Sequence, residues 1–84
     1  MKQCIITFRS VTPAQRGESA VRKAGISCAL QRTPRALEAL GCGYCLKLGC
    51  SQIPQALELL QAQQIAYRKV YAYRPGDRWE ELHL

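Results

Sequence analysis

Ten consecutive residues, Gly41-Cys42-Gly43-Tyr44-Cys45-Leu46-Lys47-Leu48-Gly49-Cys50, hold three of the five cysteines of this chain. Thiols so placed admit four roles: metal ligands, a redox couple, a nucleophile with its helper, or small buried hydrophobes. Cys42 and Cys45 have the CxxC spacing of many dithiol couples, which commonly open a helix whose N-terminal dipole lowers the thiol pKa. Here the second cysteine falls in an alternating strand pattern, with Tyr44, Leu46 and Leu48 facing one way and Cys45 and Lys47 the other. A fully extended chain would send the two sulfurs to opposite faces. A disulfide between them needs a local turn, which Gly41 and Gly43 can supply. Structural zinc takes a full set of nitrogen and sulfur ligands. Cys42, Cys45 and Cys50 have an unusual spacing for one, His83 stands far off in the chain, and no second CxxC exists. No metal is expected.

Free cysteine is among the most buried residue types. Cys4 and Cys28, within apolar segments, read as packed, and Cys50, just before a helix, as incidental. Cys45 is balanced between a surface thiol and a helper. Cys42 differs because glycines flank it on both sides. They leave the sulfur unshielded and let backbone N–H groups turn toward an anion. A thiolate needs positive surroundings, and Arg32 and Arg35 lie a few residues upstream. Against this, a helix over 34–40 would end beside Cys42 and oppose a negative charge with its dipole. A solvated loop charge is an equal reading of Arg35. The odd number of cysteines excludes a fully paired disulfide framework within one chain.

The elements that must position these groups follow from periodicity. Cys4 to Phe8 is apolar and partly β-branched and reads as a buried strand. Thr12 is a helix cap, with Pro13 at the first helical position and Gln15 completing a capping box. Ala14, Val21 and Ala24 share a face, Gly17 allows close approach, and Gly25 is a left-handed stop. Ile26 to Gln31 is a second strand. The segment 34–40 is open between helical turns and a loop. Tyr44 to Leu48 is a third strand. A helix then opens at Ser51, tolerates Pro54 in its first turn, and buries Ile53, Leu57 and Leu60. Ala66 to Tyr73 is a fourth strand with Tyr67, Tyr71 and Tyr73 on it. Pro75-Gly76 is a turn, followed by a short tail with one or two helical turns carrying Trp79 and Leu82.

The order β-α-β-β-α-β predicts an α+β, ferredoxin-like domain over 1–74, with two helices on one face of a four-stranded antiparallel sheet and a C-terminal tail over 75–84. Eighty-four residues make one domain at most. The apolar runs are too short to cross a bilayer, and the apolar stretch after Met1 is too short for a secretory signal. These features predict a cytoplasmic protein with reduced thiols. The net charge is +6, but the basic residues are scattered, which reads as a solvated surface before a nucleic-acid footprint. The first and third strands offer only Phe8 and Tyr44 as aromatics, against RNA stacking. No cofactor is expected.

The strand "IITF" (Ile5 to Phe8), "AGI" (Ala24 to Ile26), "TPR" (Thr33 to Arg35) and "CG" (Cys42, Gly43) occur together in this order. In them the chain resembles a family of small bacterial selenium/sulfur carrier-like domains over most of residues 3 to 73. The resemblance implies Cys42 as the functional thiol and Thr33, Pro34 and Arg35 as its companions. It also implies donor and acceptor proteins as partners. Two departures are visible. The segment before the cysteine, serine-rich in the family, is Ala36 to Gly41 here, and Cys45 replaces a small or apolar residue. On this reading Cys42 carries sulfur or selenium as a persulfide-type adduct, Arg35 stabilises the anion, and Cys45 assists release. The competing reading is a non-catalytic binding or regulatory module with structural cysteines. In that module Tyr67, Tyr71, Tyr73, Trp79 and Leu82 form a surface for a second copy, a homodimer; the alternative is ordinary core and tail packing, favoured for at least two of the tyrosines.

Overall fold

The computed structural model describes residues 2–37, 43–76 and 78–83. The elements are β1 (Gln3–Phe8), α1 (Val11–Lys23), β2 (Ala29–Arg32), β3 (Tyr44–Gly49), a 3₁₀ turn (Cys50–Gln52), α2 (Ile53–Ala62), β4 (Val70–Arg74) and β5 (Arg78–Leu82). The strands form one sheet in the order β2-β3-β1-β4-β5, and every neighbouring pair is antiparallel. Both helices pack on one face of it. There Cys4, Ile6 and Phe8 of β1, Leu46 and Leu48 of β3, and Val70 and Ala72 of β4 meet Ala14 and Val21 of α1 and Ile53, Leu57 and Leu60 of α2.

Several expectations are corrected. The sheet has five strands rather than four, because the expected tail is strand β5. Gly76 adopts φ 84°, and the turn it makes sets Arg74 opposite Arg78, Tyr73 opposite Trp79 and Val70 opposite Leu82. The new edge is held by an Arg74 Nε–H donating to Glu80 Oε1 at 2.8 Å, and by the Tyr73 and Trp79 rings packed edge to face at 5.0 Å.

Helix α1 starts at Val11 with an extended Ser10 before it, so Thr12 lies inside the first turn and caps nothing. Its far end is as expected: Gly25 takes φ 84° and donates to the Arg22 carbonyl at 2.9 Å. Ala24 is exposed, while Ala14, Gly17, Ala20 and Val21 are buried. Gly17 is a true close approach, since a Cβ there would lie 3.1 Å from both Leu60 Cδ2 and Phe8 Cζ.

Strand β2 begins at Ala29 rather than Ile26. The residues before it finish the helix instead: Ile26 N–H donates to Val21 at 3.2 Å, and the Arg22 guanidinium takes the Cys28 carbonyl at 3.0 Å. Strand β4 begins at Val70 rather than Ala66. Thr7 faces two residues at once, accepting the Arg68 N–H at 2.8 Å and donating to the Lys69 carbonyl at 2.8 Å, which is the arrangement of a β-bulge. Tyr67 consequently packs against the helix-side core with Leu82, apart from Tyr71 and Tyr73.

Candidate functional site

The connection from β2 to β3 carries most of the residues that chemistry singled out. Its two ends are tied together: the Thr33 N–H donates to the Gly43 carbonyl at 3.0 Å, and both residues are buried. Just inside that tie, β2 and β3 pair Arg32 with Tyr44, and β3 and β1 pair Tyr44 with Phe8. The connection therefore leaves the sheet at the end where β1 hands over to α1. The Arg32 guanidinium sits over the Tyr44 ring, 5.7 Å from its centroid, a cation–π contact that holds a positive charge at this end.

Beyond Thr33 the chain turns. Leu37 N–H donates to the Pro34 carbonyl at 2.9 Å, and residues 35–37 form a turn rather than regular helix. Pro34 is half-buried and Arg35 is exposed. The expectation of helix or loop over 38–40, and the expected sites Gly41 and Cys42, lie outside the described residues, as does the approach of Cys42 to Cys45.

Cys45 is not a surface thiol: it is 0 % exposed. Leu46 and Leu48 point to the helices, so Cys45 points to the opposite face, between Gln31 of β2 and Thr7 of β1. Its thiol donates to the Arg32 carbonyl at 3.8 Å. Burial pushes its pKa up, partly offset by the Gln31 and Thr33 side chains and by the charge of Lys47. The Thr7 hydroxyl is engaged elsewhere, with the Lys69 N–H and carbonyl. The Thr33 hydroxyl is not. Thr33 is 8 % exposed, and its Oγ1 has no hydrogen-bond partner of ordinary geometry among the described residues. It lies beside the Cys45 sulfur. An orphaned buried hydroxyl next to a thiol is poised to donate if that sulfur becomes an anion.

Two cysteines read as unpaired are joined. Cys4 and Cys50 form a disulfide with Cα atoms 4.9 Å apart. Cys4 does pack, at 0 % exposure, but as half of a cystine, and Cys50 is not incidental. The reason is register. Cys4 lies opposite Leu48, and Cys50, two residues further on, leans toward the same face. No local pattern announces this; the pairing of β1 with β3 does. Cys28 is a free, buried thiol whose pKa is pushed up by burial, with Arg22 opposing. Among the described residues, no group of three His, Cys, Asp or Glu side chains is placed to hold a metal ion, and no helix is long and apolar enough to cross a membrane.

The family model described as "Putative Se/S carrier protein-like" matches residues 3–72 of the chain. No curated protein and no solved structure matches it.

Proposed function

Because the chain belongs to the selenium/sulfur carrier-like family, we propose that it holds sulfur or selenium on Cys42 and delivers it to a partner enzyme. The observation that carries this reading is the Thr33–Gly43 tie at 3.0 Å. It closes the base of the connection that contains Cys42 and gathers Thr33, Pro34 and Arg35 at one end of the sheet. Arg32 and Arg35 supply positive charge there, and Gly41 and Gly43 are the residues without side chains on either side of the thiol in the sequence.

In this mechanism the Cys42 thiolate attacks the outer sulfur of a donor persulfide. A new S–S bond forms on Cys42, the donor's S–S bond breaks, and the donor leaves as a thiolate that takes up a proton. A donor carrying selenium in that position leaves a selenium adduct by the same exchange. An acceptor nucleophile then removes the outer atom and returns Cys42 to the thiolate. Cys45 offers a second route of release, open only while the adduct is still on Cys42. Buried and protonated, it does not compete for cargo. When uncovered and ionised beside the Thr33 hydroxyl, it attacks the inner Cys42 sulfur, expels hydrosulfide and leaves a Cys42–Cys45 disulfide.

The sheet order supports a ferredoxin-like unit for the first four strands and both helices, 1–74, to which residues 75–84 add β5. We propose a cytoplasmic location, where persulfide donors are found, although the Cys4–Cys50 disulfide departs from the reduced thiols usual there.

A second reading rests on the sheet face without helices, where Tyr71, Tyr73 and Trp79 lie together. It treats the domain as a binding or regulatory module. Incubation with a persulfide donor followed by mass spectrometry separates the two. One added sulfur, absent in Cys42→Ser and present in Cys28→Ser, supports the carrier. A Cys42 that stays unmodified, with ordinary thiol reactivity, leaves the binding module as the better account.

A further inference from the structure

The basic residues are scattered in the sequence, but the fold gathers five of them at one end of the sheet. Arg9 follows the last residue of β1, Arg32 ends β2, and Arg35 lies in the turn beyond it. Arg68 and Lys69 reach the same end through their backbone bonds to Thr7. All five are exposed. Helix α1 starts here with no acidic residue in its first turn. Among the described residues, the ion pairs hold Glu18 on Arg22 and Glu80 on Arg74, and only Glu81 is paired with a cation of this end, Lys69, at 3.6 Å.

From that end a strip of rings runs along β4 and β5 on the face without helices. Val70 and Ala72 point to the helices, so Tyr71 and Tyr73 point away from them, about 7 Å apart along the strand. Trp79 stands opposite Tyr73 on the same face. Tyr73 is 39 % exposed, and among the described residues no other large hydrophobic side chain is so open. Tyr71 and Trp79 are half-buried. The rings that β1 and β3 lack are thus supplied by β4 and by β5, the strand that the sequence reads as a tail.

We propose that this face binds single-stranded RNA, with bases on Tyr71, Tyr73 and Trp79 and phosphates on Arg9, Arg68 and Lys69. A single strand brings one ring face and one negative charge in every unit, and exposed rings beside cations are its complement. The guanidinium fork suits phosphate oxygens, and the net charge of +6 favours a polyanion. A duplex fits less well. Its bases are already stacked, and both helices lie on the other face of the sheet, so none is placed here to enter a groove. An acidic peptide would match the cations and leave the rings without partners. Of the two single-stranded nucleic acids, RNA is the one abundant in the cytoplasm proposed above. The inference is independent of cargo on Cys42, since the persulfide test and the RNA test read different groups.

The test is fluorescence anisotropy of the full chain with a short labelled oligouridine RNA, from about 50 to about 200 mM salt. Affinity should fall as salt rises, with a log–log slope of about −2 for three phosphate contacts. Tyr73→Ala should weaken binding at least about fivefold and leave the slope unchanged. Tyr73→Leu, which keeps bulk without a ring, should lose as much, and Tyr73→Phe should retain the parent affinity. Arg9→Glu should weaken binding several-fold and flatten the slope. Lys23→Glu, an exposed change at the far end of α1, should weaken it less. Equal losses in Arg9→Glu and Lys23→Glu, or binding untouched by Tyr73→Ala, would leave only unspecific attraction and overturn the proposal. So would tighter binding of single-stranded DNA, duplex RNA or polyglutamate, or no RNA binding at the lower salt.

Discussion

The Cys45 thiol donates to the carbonyl oxygen of Arg32 across the β2–β3 pair, with sulfur and oxygen 3.8 Å apart. The residue that brings positive charge to the candidate site thus also holds, through its backbone, the neutral form of the nearest described thiol. Burial acts in the same direction. Cys45 is thus a buried thiol whose neutral form is favoured, beside the candidate connection.

A pH dependence follows. Burial raises the pKa of Cys45, and that of Cys28, above the unfolded thiol value, which is about 8.5. Above that value the unfolded chain releases these protons while the folded chain keeps them, so stability is lost as pH rises through this range. Below it the two states bind the same protons and the contribution is flat. Thermal melts from pH 7 to pH 10 should show the midpoint falling, and Cys45→Ala should fall less steeply than the parent. Parallel curves would mean that Cys45 titrates alike in both states.

Thr33→Val tests the orphaned hydroxyl. The backbone tie to Gly43 is kept, and the variant removes a buried Oγ1 with no ordinary partner among the described residues. A buried unpaired polar group costs roughly 1–3 kcal/mol, so the variant should be as stable as the parent or up to about 1 kcal/mol more stable in urea denaturation. Its Cys45 should also alkylate more slowly at high pH, having lost a donor to the thiolate. A loss above about 1 kcal/mol would show that the hydroxyl has a strong partner.

Gly17→Ala sets helix propensity against packing. Alanine in a helix gains up to about 1 kcal/mol over glycine. The new methyl would sit 3.1 Å from Leu60 and Phe8, both fully buried, and overpacking costs about 1–3 kcal/mol. Packing should win, with a net loss of about 1 kcal/mol measured by chemical denaturation. A stabilised variant would place α1 further from β1 and α2.

Reducing the Cys4–Cys50 bond should lower stability without unfolding the domain. The bond closes a separation of 46 residues, for which the chain-entropy estimate is roughly 4 kcal/mol, an upper figure in practice. Urea midpoints with and without reductant should differ, while the far-ultraviolet spectrum in water stays the same. Equal midpoints would show that the cross-link constrains nothing in the unfolded chain.

Much of this architecture is legible locally. The alternation of Tyr44, Leu46 and Leu48 marks β3 and its two faces, and it already sends Cys45 away from the helices. The stripe of Ile53, Leu57 and Leu60 marks α2, and Gly25 ends α1. The end of α2 is different: the chain turns through Gln64 at φ 56° where no glycine advertises it. The TPR segment and the Cys42-Gly43 step are equally visible, since they are short and contiguous.

What stayed hidden depends on which strands become neighbours. Residue types by themselves determined that α1 and α2 are amphipathic, that β1 and β3 are apolar strands, and that a thiol flanked by glycines sits between β2 and β3. Tertiary structure alone decided that Cys4 reaches Cys50, that Thr33 lies beside Cys45, and that residues 78–82 join the sheet. Helix periodicity and turn sterics are properties of a few adjacent residues. Each of the other outcomes is set by strand register, which the chain acquires only when distant segments pack.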